Sequence, residues 1–180
     1  MLIFFGLLPL FSCVDVEDFG DSWRKAGTDK RLVGSWEIVP ASPEETRETG
    51  NTIGDVWRVH EKGGAYEVTF HRAGRAPDDQ PLYPIKTMNV GRFQFLLIGQ
   101  TKGQLIRYKL QGQTLHVCIP FLVEYVREFY PNAANIRNEG EDSVSDILRF
   151  DRAVFDIIAQ VPDTEDYWTC DFMRLRKLAP

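Results

Sequence analysis

The chain has 180 residues, 43% hydrophobic and 26% charged, which suits one globular domain and excludes a largely disordered chain or two well-built domains. Its formal net charge of −5 gives no electrostatic reason to expect nucleic acid as a partner. Three cysteines cannot close into a disulfide framework without leaving one over.

Residues 1–12 read MLIFFGLLPLFS and carry no charge; Cys13 follows at once, and then the acidic stretch VDVEDFGDS. A short apolar run at the extreme N-terminus fits a secretory h-region and is too short to span a bilayer as a helix. Leu10-Phe11-Ser12-Cys13 resembles a bacterial lipobox, with Leu10 three residues before the cysteine and the small Ser12 just before it. The resemblance implies a signal peptide over residues 1–12, a thioether diacylglycerol and an acylated amino terminus on Cys13, and attachment to the membrane through that lipid. Several acyl chains, at about 0.8 kcal/mol per buried CH₂, anchor far more firmly than one. Val14 rather than an aspartate follows the cysteine, which by the same resemblance implies the outer membrane, facing the periplasm. The alternative is a buried N-terminal strand or helix with Cys13 in a core. Residues 13–29 read as a solvated tether, with five acids and two bases between Asp15 and Asp29. Within it, Trp23 can instead pack on the domain that spans residues 30–180.

The domain is written mostly in period two. Gly34–Val39 is a first strand with Trp36 and Ile38 on one face. Asp55–Glu61 and Gly64–His71 form a hairpin around Lys62-Gly63, which sets Trp57 against Val68, Val59 against Tyr66, and Arg58 against Glu67. Gly74–Tyr83, rich in Pro, Asp and Gly, is a long loop. Arg92–Gly99 alternates at first, with Phe93, Phe95 and Leu97 on one side.

Gln104–Gln111 and Thr114–Pro120 form a second hairpin around Gly112-Gln113. Its pairing sets Leu110 against Leu115, Tyr108 against Val117 and Ile106 against Ile119, with Lys109–His116 and Arg107–Cys118 on a polar face turned to water. Phe121–Tyr130 reads as a short helix between two prolines, and Asn132–Asp142 as a polar loop. A strand over Val144–Phe150, a helix over Arg152–Gln160 capped by Asp151, and a last strand over Trp168–Lys177 complete the chain. One long helix from Ser143 is the competing reading of that region. The fold class is therefore mainly β, with about eight antiparallel strands and two short helices.

Gly34-Ser35-Trp36 on the first strand, preceded by a short turn or helix over Asp29–Leu32, the run of hairpins, and a basic residue on the last strand resemble the bacterial lipocalin-like (calycin-type) barrels. The resemblance covers most of residues 30–178 and implies an antiparallel eight-stranded lipocalin-like barrel. It further implies that Trp36 packs under the barrel floor while Arg174 or Arg176 lies across it, a cation held over an indole face. Ordinary core packing of Trp36 in another antiparallel β domain is the competing reading.

Parity puts Cys118 outward and Cys170 inward with Trp168 and Phe172, so the expectation is two thiols on opposite sides of the barrel wall rather than a disulfide. His60, His71 and His116 lie on outward strand positions without metal-ligand spacing. No GxSxG, HExxH, CxxC, GxGxxG or Walker pattern occurs, so nothing specific points to an enzyme, a metal or a cofactor. The apolar face carries Trp36, Trp57, Tyr66, Phe70, Phe93, Phe95, Tyr108 and Phe172. Read as a pocket, the last seven enclose a small hydrophobic ligand, with Tyr66 and Tyr108 offering hydroxyls to orient it. Read as a filled core, they leave function to the loops Ala73–Tyr83 and Phe121–Asp142, which then dock on another envelope protein.

Overall fold

The computed structural model describes residues 14–16, 19, 21–40, 53–72, 84–100, 103–120, 125, 128–130, 134–138, 146–150 and 154–179. Along the chain these form β1 (Val14–Val16), α1 (Asp21–Lys25), a 3-10 turn (Lys30–Leu32), β2 (Gly34–Val39), β3 (Val56–Lys62), β4 (Ala65–His71), β5 (Ile85–Val90) and β6 (Phe93–Ile98). Then follow β7 (Gly103–Gln111), β8 (Thr114–Pro120), β9 (Ala134–Asn138), β10 (Asp146–Phe150), α2 (Val154–Gln160) and β11 (Trp168–Lys177).

Strands β2 to β8 each pair with the next, and β11 pairs with both β8 and β2. Eight strands thus close into an antiparallel up-and-down barrel, the arrangement of a lipocalin-like fold. The seam is narrowest between β4 and β5, where Tyr66 opposite Ile85 is the pair found among the described residues. Three further strands extend from β7: β1 runs antiparallel to it and parallel to β10, and β10 is antiparallel to β9.

The β3–β4 hairpin turns at Gly63-Gly64, not at Lys62-Gly63. Both glycines have positive φ, 62° and 75°, as a two-residue primed turn demands. A lysine in the first position would carry the steric cost that glycine avoids. The pairs are consequently Trp57–Phe70, Val59–Val68 and His60–Glu67, a slip of two that keeps every residue on its expected face. The β7–β8 hairpin has the expected register, with Arg107–Cys118, Tyr108–Val117, Lys109–His116 and Leu110–Leu115 opposite one another. The last strand spans Trp168–Lys177 as read.

The count of eight barrel strands is reached differently from the sequence reading. Strand β10 lies where Val144–Phe150 was expected, but outside the barrel; its place is taken by β5, which the alternation did not announce. Ala134–Asn138 is a strand rather than part of a polar loop. Of the helix expected over 121–130, Tyr125, Glu128 and Phe129 are helical and most other positions lie outside the described residues. The loop 73–83 lies outside them as well.

The tether expected over 13–29 is folded where it is described. Val14–Val16 pairs with β7 and β10, Phe19 is fully buried, and Ala26 is buried. Gly27 exchanges backbone hydrogen bonds with Thr87 of β5. Five acids in this segment suggested water, but the apolar residues between them, Val14, Val16, Phe19 and Trp23, recur at spacings that serve a strand and a helical turn.

The barrel wall is buried on both faces over β6 and β7. The inner core holds Leu32, Trp36, Ile38, Val59, Tyr66, Val68, Ile85, Leu96, Tyr108, Leu115, Val117, Met173 and Leu175. A second core outside the wall joins Phe93, Phe95, Leu97 and Leu105 to Phe19, Tyr125, Ile157, Ile158, Val161 and Trp168. Helix α2 is the lid of this outer core. Among its described side chains Ile157 and Ile158 are the buried ones, in a seven-residue helix too short to stand alone in water.

Candidate functional site

One end of the barrel carries the two-residue turns and a plug. Asp29 caps the 3-10 turn by accepting from the Arg31 N–H at 3.0 Å. The turn delivers Leu32 beneath the sheet, and its carbonyl accepts from Trp36 Nε1 at 2.7 Å. Lys177 lies over the Trp36 ring at 5.1 Å and donates to the Arg31 carbonyl at 2.7 Å. Gly34 is what lets the lysine through. Its φ is 130°, and a Cβ there would sit 3.0 Å from Lys177 Cε.

The basic residue across the floor is therefore Lys177, neither Arg174 nor Arg176. Lys177 pairs directly with Trp36 and shares the inward parity of Met173 and Leu175, while the two arginines alternate to the outside. Arg176 instead binds Glu37 on the outer surface, Nη2 to Oε2 2.6 Å.

Asp29 also engages both barrel tyrosines. Tyr66 Oη donates to the Asp29 carbonyl at 2.8 Å and accepts from its N–H. Tyr108 Oη donates to the carboxylate at 3.4 Å. The hydrogen bond from Arg31 holds the Asp29 carboxyl below its usual range, outweighing the opposing effect of burial. Burial pushes the Tyr66 hydroxyl up to about 12. Burial first, and the Asp29 charge second, push Tyr108 higher still. Both hydroxyls that were expected to orient a ligand thus serve the plug.

Trp57 and Phe70 face each other across β3 and β4 toward the other end, ring centroids 4.9 Å apart and edge to face. Both are half-buried and pack against the inner core. Among the described residues, Trp57 Nε1 is a buried donor with no hydrogen-bond partner. At this end the chain leaves the strands in the long connections 40–55 and 72–84.

Phe93 and Phe95 do not join them. Together with Leu97 they occupy the outer core, and Leu96 and Ile98 take the inward positions of β6. Because the strand reads Phe-Gln-Phe-Leu-Leu-Ile, apolar on both faces, its sequence could not say which face looks inward. The side chain of Phe172, and Cys13 as a whole, lie outside the described residues.

Phe93 contributes instead to a buried cation. The Arg107 side chain is 2% exposed, and its guanidinium lies 4.2 Å from the Phe93 ring and 4.5 Å from that of Trp168. Nη2 binds Asp163 Oδ1 at 2.6 Å, which Lys109 Nζ reaches at 3.4 Å. Burial opposes the Asp163 charge, yet the hydrogen bond from Arg107 and the charges of Arg107 and Lys109 hold its carboxyl below its usual range. Sequence reading placed Arg107 on a wetted face; only the outer core makes it a buried residue. The same cause corrects the cysteines. Trp168 marks the outer core, so Cys170 faces outward with it, meets Cys118, and the two form a disulfide between β8 and β11.

No family model, curated protein or solved structure matches this chain.

Proposed function

We propose that this chain is a lipoprotein of the bacterial envelope, anchored through Cys13 and related to the lipocalin-like proteins, whose barrel binds a small hydrophobic ligand. The observation that carries the binding reading is the Trp57–Phe70 pair. It is an apolar seat at the end away from the plug, half-buried against the inner core, with one buried N–H still to be satisfied. Pockets for small ligands combine such apolar walls with a few placed polar groups. The reaction with the ligand is burial alone; no covalent step is involved. The lipobox resemblance supports the outer membrane, facing the periplasm, as the place.

Titration with N-phenyl-1-naphthylamine tests the seat. One saturable site per chain is expected, weakened about tenfold by Trp57→Ala from the loss of its apolar contact; absence of saturable binding refutes the seat. Labelling with a radioactive fatty acid tests the anchor. Label in the wild type and none in Cys13→Ala is the expected result, and equal label in both refutes lipidation there.

The second reading is a filled barrel that docks on an envelope protein through its loops. It is favoured by the fully buried Trp36, Tyr66 and Tyr108, which fill the plugged half, and by the engagement of both hydroxyls. Under this reading the dye finds no site, and cross-linking of the full chain in intact cells traps a partner.

A further inference from the structure

Among the described residues, the inner core carries four ring side chains able to donate a hydrogen bond: Trp36, Trp57, Tyr66 and Tyr108. Three of them are engaged at the plug. Trp36 Nε1 donates to the Leu32 carbonyl at 2.7 Å, Tyr66 Oη to the Asp29 carbonyl at 2.8 Å, and Tyr108 Oη to the Asp29 carboxylate at 3.4 Å. The fourth donor, Trp57 Nε1, is buried and has no partner.

A buried donor without an acceptor costs free energy, and a folded protein keeps few of them without a reason. Solvent does not answer this one: the ring is half-buried, but its Nε1 is enclosed. The Phe70 ring, edge to face at 4.9 Å, offers at most a π face, which is a second-order acceptor. An acceptor brought in by a ligand is the remaining way to complete the site.

The surroundings of Nε1 set the charge of that acceptor. Trp57 lies directly between Trp36 on β2 and Phe70 on β4, and the next inward pair along the hairpin is the buried Val59–Val68. The base in that row, Lys177 opposite Trp36, is held by the Arg31 carbonyl. At the rim, Asp55 precedes Trp57 by two residues and Arg72 follows Phe70 by two, one of each sign. A carboxylate entering such a seat would give up its water for a single N–H, which does not compensate a buried charge. An uncharged carbonyl loses far less and satisfies the donor.

We infer that the ligand of this seat is a neutral carbonyl compound with an alkyl chain, an acyl ester or a ketone, whose oxygen accepts the hydrogen bond of Trp57 Nε1 while its chain lies against Phe70 and the inner core. The inference rests on the reading of the Trp57–Phe70 pair as a ligand seat and adds the chemical class of the ligand. A free fatty acid in its ionised form is thereby a poor ligand.

The test is displacement of N-phenyl-1-naphthylamine, which has no carbonyl, from the purified full chain at neutral pH by methyl decanoate and by sodium decanoate. The ester is expected to displace the dye at a concentration about tenfold below that of the carboxylate. Trp57→Phe keeps a ring and removes the N–H. It is expected to weaken the ester by about tenfold beyond any loss in dye affinity, the effect of leaving a buried carbonyl without its donor. Equal losses of ester and dye in the folded variant overturn the inference and leave the N–H resting on the Phe70 ring. Displacement by decanoate as readily as by the ester overturns the neutral class. Circular dichroism in the near ultraviolet shows whether the variant is folded. If it is not, nuclear magnetic resonance of the wild type, isotopically labelled at its tryptophan ring nitrogens, decides instead. One of the four indole N–H signals then moves downfield with methyl decanoate, and no movement overturns the inference. Failure of the seat itself shows separately, as absence of saturable dye binding to the wild type.

Discussion

Asp29 occupies a small part of the surface and answers to three residues, Arg31, Tyr66 and Tyr108. It caps the 3-10 turn, pairs with Arg31, and receives Tyr66 on its backbone and Tyr108 on its carboxylate. Its folded-state pKa lies below that of the unfolded chain, so the stabilisation is complete above the unfolded value, near 3.8, and is lost as pH falls through the lower folded value. Thermal unfolding at pH 7 and pH 3 separates its roles. Asp29→Asn keeps the cap and flattens this acid loss, whereas Asp29→Ala also costs about 1 kcal/mol at pH 7. At Gly34 the constraint is steric. Gly34→Ala would force a left-handed φ on alanine and press on Lys177, so urea unfolding is expected to show a loss of about 1–3 kcal/mol. Arg107 and Asp163 are unequal partners. Asp163→Ala leaves a guanidinium buried without its counter-ion and is expected to cost about 2 kcal/mol, less than for a fully buried pair because the carboxylate is itself more than a third exposed. Arg107→Met, which removes the charge and keeps the bulk between Phe93 and Trp168, is expected to cost less in the same urea titration.

Among the elements, β8 and β11 are held both by their ladder and by the Cys118–Cys170 disulfide, 52 residues apart in sequence. Closing a loop of that length stabilises the fold by about 4 kcal/mol on the chain-entropy account. Thermal unfolding with and without reductant, and with Cys118→Ala/Cys170→Ala, is expected to show losses of this order. The hairpins, the GxW strand and the last strand were legible in the sequence because local turn chemistry and alternation define them. Strand β5 was not, because its inward residues are Ile85, Thr87 and Asn89 and its outward ones Lys86, Met88 and Val90, so neither face is marked. Strand β6 was legible as a strand but not in orientation. The candidate site shared this fate: Trp57, Tyr66, Phe70 and Tyr108 were correctly grouped on the inner face, while Phe93 and Phe95 belong to the other side of the wall. Lys177 was missed because two arginines nearby satisfied the same chemical expectation. Only the register across to Trp36 tells them apart.

At the scale of the whole molecule, one wall separates two cores. The outer one is assembled from distant pieces: Phe19 near the start, Phe93 to Leu97 in the middle, and Ile157 to Trp168 near the end. This explains why alternation misled at Arg107 and Cys170, since an in–out code presumes one wet face. It also changes what a soluble version of the protein must contain. A chain cut near Asp29 would lose β1 and the fully buried Phe19. Phe19→Ala is expected to cost about 3–5 kcal/mol in urea unfolding, the range for truncating a buried phenylalanine. Wild-type stability in that variant would mean that the outer core does not depend on the N-terminal segment.

The pairing of β2 with β11 has a consequence in time. Residues 36–39 find their partners at residues 174–177, so the ring cannot shut until that distant strand has been made. Contacts of such sequence separation make folding slow, because the intervening loop must be closed before they reward it. Hairpins such as β3–β4 and β7–β8, whose partners are neighbours in sequence, can therefore form before the ring shuts.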